Sequence, residues 1–167
     1  PSSFLPRAAT AAMERALGVA PVVVLLGARQ AGKTTLVRAL PQLAVKMREA
    51  GARVLVVSTD EAQLARISAA LWAHKDSFLA HGLAGSPHQE RQPILLSEGL
   101  EAPNEARFLA LADGGWRDGA DRFDRVFLLF DGSTIDDARA TWRSLDGREG
   151  LERNYWRQED GKWIKAA

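Results

Sequence analysis

Five consecutive apolar residues, Val22–Leu26, restrict the fold more than any other stretch of this chain. A half-buried strand alternates apolar and polar residues. An unbroken run of Val and Leu leaves no face for water and must be covered on both sides. Helices on both faces of a parallel sheet supply that cover, so the run predicts a three-layer α/β chain. Four further stretches read as strands of the same sheet: 53–58, 93–97, 107–112 and 125–130. With 21–26 they predict a Rossmann-like domain with a mostly parallel five-stranded sheet. At 167 residues and 46% hydrophobic content, the chain suffices for one core and reads as a single domain, 1–167.

The first strand leads into Gly27-Ala28-Arg29-Gln30-Ala31-Gly32-Lys33-Thr34, which satisfies the phosphate-loop pattern G-x-x-x-x-G-K-[ST] between a strand and a helix. Glycines let backbone N–H groups wrap phosphates at a helix N-terminus, Lys33 would reach the terminal phosphates, and Thr34 would ligate Mg²⁺. The candidate nucleotide-binding set is Gly27, Gly32, Lys33, Thr34 and Thr35, with ATP and Mg²⁺ as the cofactors of a working loop. Hydrolysis would also need an acid at a strand end. Asp60 with Glu61, and Asp131, are the candidates, although Asp60 reads equally well as a helix N-cap. Residues 1–20 read as a lead-in helix, about Arg7–Leu17, and 21–50 as the strand–loop–helix unit. Pro41 either kinks one long helix or opens the first turn of a second, QLAVKMREAG.

From Arg53 to Gly85 the chain reads as a strand, a helix start at Thr59/Asp60, and a helix with Leu64, Ile67 and Leu71 on one buried face. Past it, Trp72 and Phe78 stand among charged residues. Such a loop either tucks its aromatics under itself or offers them to a partner. Near the end, a helix over Thr134–Leu145 carries an apolar stripe of Ile135, Ala138, Trp142 and Leu145. Arg139 and Arg143 flank Trp142. They are either solvated arginines around a core Trp, or a pocket for an aromatic group and a carboxylate together. Asp160-Gly161 signals a closing β-hairpin in which Trp156 and Trp163 could face each other while the hairpin covers a sheet edge.

Other chemistries find little footing. The chain has no cysteine, which excludes disulfides and thiolate catalysis and makes a cytoplasmic location the default. No apolar run approaches the roughly 20 residues of a membrane span, and no signal peptide is read, although the sequence starts at Pro1 rather than Met. His74, His81 and His88 straddle a helix end and two loops with no carboxylate at ligand spacing, so no metal site is read. No Ser/His/Asp or paired-carboxylate pattern stands out, and no catalytic residue is assigned. The formal net charge of +1 forces no nucleic-acid or membrane partner. It is unevenly spread: residues 1–50 carry seven Lys/Arg against two Glu, residues 51–120 six against nine acids.

Two resemblances run through these stretches. The order strand–Asp60–Glu61–helix–Leu71–Trp72–Ser77–Phe78–Leu79–x–His81 resembles the chi subunit of bacterial DNA polymerase III. It is followed by Gln92-Pro93-Ile94-Leu95-Leu96, Pro103-Asn104, Arg125-Val126-Phe127…Asp131, Ala138-Arg139…Trp142-Arg143 and NYWRQEDGKWIKAA, so the resemblance covers about residues 42–167. Ala80 departs from the Pro usual there, whereas Pro41 matches a Pro that often opens a helix in that family, so the resemblance implies a second helix from Pro41 rather than one kinked helix. Residues 1–41 instead resemble the P-loop start of a bacterial AAA-type ATPase family.

The chi resemblance implies a non-catalytic accessory subunit of the polymerase III clamp-loader assembly. That subunit binds the acidic, Phe-ending C-terminal tail of single-stranded-DNA-binding protein, with a psi subunit or clamp-loader components as further partners and DNA met only indirectly. Carried over, the tail-binding positions are Trp72, Phe78, Arg139, Trp142 and Arg143, with Trp142 and Arg143 standing for the family's Tyr and Lys. The competing expectation is a small P-loop ATPase.

Overall fold

Apolar residues take opposite sides in turn along every central strand, and each side has its own core. Val24, Leu26, Val54, Val56, Ile94, Leu96, Phe127 and Leu129 face one way; Leu25, Leu55, Val57, Leu95, Leu109, Val126, Leu128 and Phe130 face the other. The computed structural model describes residues 22–28, 32–75, 77–159 and 162–167. The lead-in helix expected at Arg7–Leu17 and the loop residues 29–31 lie outside them.

In chain order the elements are β1 (Val22–Ala28), α1 (Gly32–Glu49), β2 (Val54–Val57), α2 (Glu61–Ala73), β3 (His81–Leu83), β4 (Ile94–Ser97), β5 (Phe108–Leu111), β6 (Arg125–Asp131), α3 (Ile135–Ser144), β7 (Glu152–Glu159) and β8 (Lys162–Lys165). The strands lie in the order β3-β4-β2-β5-β6-β1-β7-β8. All pairs are parallel except the terminal hairpin, β7 with β8. Helices α1 and α2 cover one face through Leu40, Leu43, Met47, Leu64, Ile67 and Leu71. Helix α3 covers the other through Ala138.

The five expected strands are present, but the sheet has eight, not five. β3 is too short to carry a period, and only its pairing with β4 makes it a strand. β7 was expected as an arm over the sheet edge. It runs parallel to β1 from Val22↔Glu152 to Ala28↔Gln158, so β1 is an interior strand. Its polar sequence, ERNYWRQE, hides that placement. β7 and β8 pair Glu159 with Lys162, leaving Asp160 and Gly161 between them, outside the described residues. Their register sets Trp156 against Lys165 and Trp163 against Gln158, so the two tryptophans are not direct cross-strand partners. Trp156 is buried in the α1-side core instead.

Pro41 neither ends α1 nor opens a second helix, contrary to expectation; it sits inside one helix of 18 residues. Pro41 has no N–H for the Val37 carbonyl, a loss that by itself favours a break. The flanking residues Val37, Leu40, Leu43, Ala44 and Met47 are all buried, and burial of that face on both sides of the proline outweighs the missing bond. Asp60 does cap α2, accepting from the N–H groups of Ala62 at 3.0 Å and Gln63 at 3.2 Å.

Candidate functional site

The turn after β6 fixes the start of α3. Asp131 accepts from the N–H of Ser133 at 2.8 Å and its Oγ at 2.5 Å, and the Asp131 N–H donates to Thr134 Oγ1 at 3.1 Å. Burial by itself would raise the Asp131 carboxyl, but these bonds outweigh it and hold the group below the usual range. From this anchor α3 turns Ala138 and Leu145 inward and leaves Arg139 and Arg143 exposed.

Trp142 is half-buried and joined to the strands beneath. Its ring lies 6.2 Å from Tyr155, which stacks at 5.8 Å on Phe130. The Arg153 guanidinium lies 4.2 Å over the Trp142 ring, donates to the Trp142 carbonyl, and reaches Asp146 Oδ1 at 2.5 Å. Arg139 is held by Asp136 across 3.3 Å, an exposed pair of small energy, and the Arg143 side chain makes no hydrogen bond or ion pair among the described residues. The surface therefore offers an aromatic ring beside two exposed guanidinium groups, Arg139 in a weak ion pair and Arg143 in none among the described residues, a combination with the chemistry to receive an aromatic side chain and a carboxylate together. Sequence reasoning missed Arg153 and Tyr155. Their spacing of two puts them on one face of β7, but only the docking of β7 beside β1 brings that face to Trp142.

Trp72 and Phe78 lie elsewhere. Trp72, in the last turn of α2, is 60% exposed and Phe78 77% exposed, while Leu79 is the loop residue that tucks under. The two rings approach to 5.8 Å, and Trp72 also meets His81 at 4.7 Å. His81 is fixed between Leu79 O and Ser68 Oγ, each at 2.8 Å. Helices α2 and α3 lie on opposite faces of the sheet. The edge strand β3 is four strand spacings from β6, about 19 Å. The five residues carried over as one tail site thus fall into two surfaces: Trp72 with Phe78, and Arg139 with Trp142 and Arg143.

In the phosphate-loop-like segment, Gly27 ends the apolar run of β1, and Gly32, Lys33, Thr34 and Thr35 begin α1; the side chains of Lys33, Thr34 and Thr35 lie outside the described part. Gly27 has a packing role of its own. A Cβ there would lie 2.6 Å from Phe130 Cζ. Of the two candidate acids, Asp131 pairs in register with Ala28 but holds its own turn, and Asp60 caps α2. Helices α1 and α3 leave β1 and β6 for opposite faces, so the carboxyl ends of these neighbouring strands form a topological switch point.

Among the described residues no helix is long and apolar enough to cross a membrane, and no three His, Asp or Glu side chains gather to hold a metal ion. In the comparisons, the family model described as DNA polymerase III chi subunit, HolC, matches residues 30–152. The match begins inside the glycine-rich loop, twelve residues earlier than the resemblance read from the sequence, and stops where β7 begins. The P-loop resemblance of residues 1–41 has no counterpart in the comparisons. No curated protein matches the chain.

Proposed function

The chain belongs to the DNA polymerase III chi subunit family, a family of replication accessory subunits, and from that premise we propose a non-catalytic adaptor that binds the acidic C-terminal tail of single-stranded-DNA-binding protein. The observation that carries the reading is the exposed α3 surface, where Arg139 and Arg143 flank Trp142. A tail ending in Phe would lay its ring against Trp142 and its terminal carboxylate against Arg143, with the upstream acids toward Arg139. Trp72 and Phe78, a separate surface, would serve a second contact within the replication assembly, with psi or a clamp-loader component. The adaptor works in the cytoplasm and meets DNA only through its partners.

Titration of a labelled acidic peptide ending in Phe, followed by fluorescence anisotropy, tests the tail reading. Salt-sensitive affinity in the micromolar range is expected, weakened about tenfold by Arg143→Ala, the equivalent of roughly 1.4 kcal/mol. Failure of the wild-type protein to bind would sink the reading.

The switch point favours one further reading, a phosphate-bearing nucleotide at the carboxyl ends of β1 and β6, held through Gly27, Gly32, Lys33, Thr34 and Thr35. It requires saturable, Mg²⁺-dependent binding of a fluorescent ATP analogue that disappears in Lys33→Ala. Equal signal in both proteins counts against it.

A further inference from the structure

A cleft of 910 Å³ opens at the carboxyl ends of β3 and β4, against the first turns of α2. Its apolar lining is aliphatic: Leu64 and Leu96 rise from the core, Leu83 stands on the edge strand and Leu100 on the loop after β4. Leu83 is 51% exposed, so the edge strand presents its side chain to the mouth of the cleft. Glu61, Glu98 and Glu101 also line the cleft, and each of them is exposed. None of the three forms an ion pair among the described residues. Glu61 has a local reason to be where it is, since an acid in the first turn of α2 faces the positive end of the helix. Glu98 and Glu101 have none: they follow β4 in a loop, and among the described residues no cation lines the cleft. Arg122, which reaches the Leu100 carbonyl, leans on the Phe123 ring and stays outside the lining. The cleft lies in the acidic stretch of the chain, where residues 51–120 carry nine acids against six Lys/Arg.

We propose that this cleft docks a basic, aliphatic segment of a partner polypeptide, with leucine-like side chains entering between Leu83, Leu96 and Leu100 and Lys or Arg reaching Glu98 and Glu101. Charge selects that occupant. An acidic peptide would meet three uncompensated carboxylates, and a purely apolar one would strip water from them with nothing in exchange. The proposal stands apart from the tail-binding reading, because the tail is acidic and its arginines lie on α3, across the sheet. The site gives the adaptor a further recognition surface, of opposite charge preference to the tail site, so one molecule can hold an acidic and a basic partner at once.

The test is anisotropy with a short labelled peptide alternating leucine and arginine. Two controls carry glutamate in place of arginine, or serine in place of leucine. Saturable binding of the first peptide alone is expected, with chemical-shift changes at the amides of Ala84 and Gly99. The Glu98→Lys/Glu101→Lys variant changes only exposed side chains and should melt like wild type, yet weaken the peptide by about tenfold or more. Unlabelled acidic tail peptide should leave the complex intact. Four results would overturn the proposal: no saturable binding, equal affinity in the double variant, equal binding of the serine control, or shifts confined to Trp72 or α3. Displacement by acidic tail alone would show the two sites to be one.

Discussion

Gly27 illustrates how one residue can satisfy two explanations. The phosphate-loop pattern asks for glycine there so that backbone can approach a phosphate, and the fold asks for it because the Phe130 ring lies over it. Phe130 in β6 and Tyr155 in β7 stack at 5.8 Å although β1 runs between their strands, and the missing Cβ at Gly27 leaves room for Phe130. Gly27→Ala would bring a methyl within 2.8 Å of two ring atoms and is expected to destabilise the protein by about 1–3 kcal/mol, read from the urea midpoint. Adding Phe130→Leu should recover part of that loss. A Gly27→Ala variant that unfolds at the wild-type midpoint would remove the packing explanation and leave the phosphate one.

At the scale of elements, the ends of the central strands are tied by side chains. Asp113, just past β5, accepts from the Thr59 N–H beyond β2 at 2.9 Å, from Gly115 N–H at 3.1 Å, and twice from Arg117 at 2.7 and 2.6 Å. Burial pushes its carboxyl up, but these donors, Arg117 foremost, more than reverse that and lower it from 3.8 to about 2. A depressed carboxyl stabilises the folded state fully above its unfolded value near 4 and loses that contribution as pH falls through about 2. Asp113→Asn is therefore expected to cost about 2 kcal/mol at pH 7, and its stability should fall less steeply than wild type between about pH 4 and 2. Parallel acid titrations of thermal stability decide this; identical slopes would mean the carboxylate contributes nothing. Helix α1 makes a related point. Local chemistry at Pro41 argues for two helices, and packing on the sheet and α2 makes one.

Across the whole molecule, the sheet acts as a partition. The exposed Trp72/Phe78 pair and the Arg139/Trp142/Arg143 surface lie on helices of opposite faces, far enough apart that neither side chain set touches the other. Trp72→Ala/Phe78→Ala removes only exposed rings, so stability should change by no more than about 0.5 kcal/mol and acidic-tail affinity should stay as in wild type. A tenfold loss of tail affinity in that variant would mean the two surfaces act as one.

Residue patterns alone place the layers and most of the strands, because burial on two faces leaves a run such as Val22–Leu26 no other use. It also located α2 and α3, whose apolar stripes repeat at 3–4 spacing and whose starts carry Asp60 and Thr134. The family was legible in the order of short segments from Asp60 to the late helix. What stayed hidden depends on residues that meet only in three dimensions. β7 is polar and reads as a surface hairpin, yet parallel pairing with β1 buries Trp156 on one side and delivers Tyr155 and Arg153 to Trp142 on the other. Trp72 and Arg143 were expected in one site because the chi resemblance carried them over together. Strand order, which no local pattern encodes, set them on opposite faces of the sheet. Periodicity reports which side of its own element a residue faces, and only the packing of elements decides what that side meets.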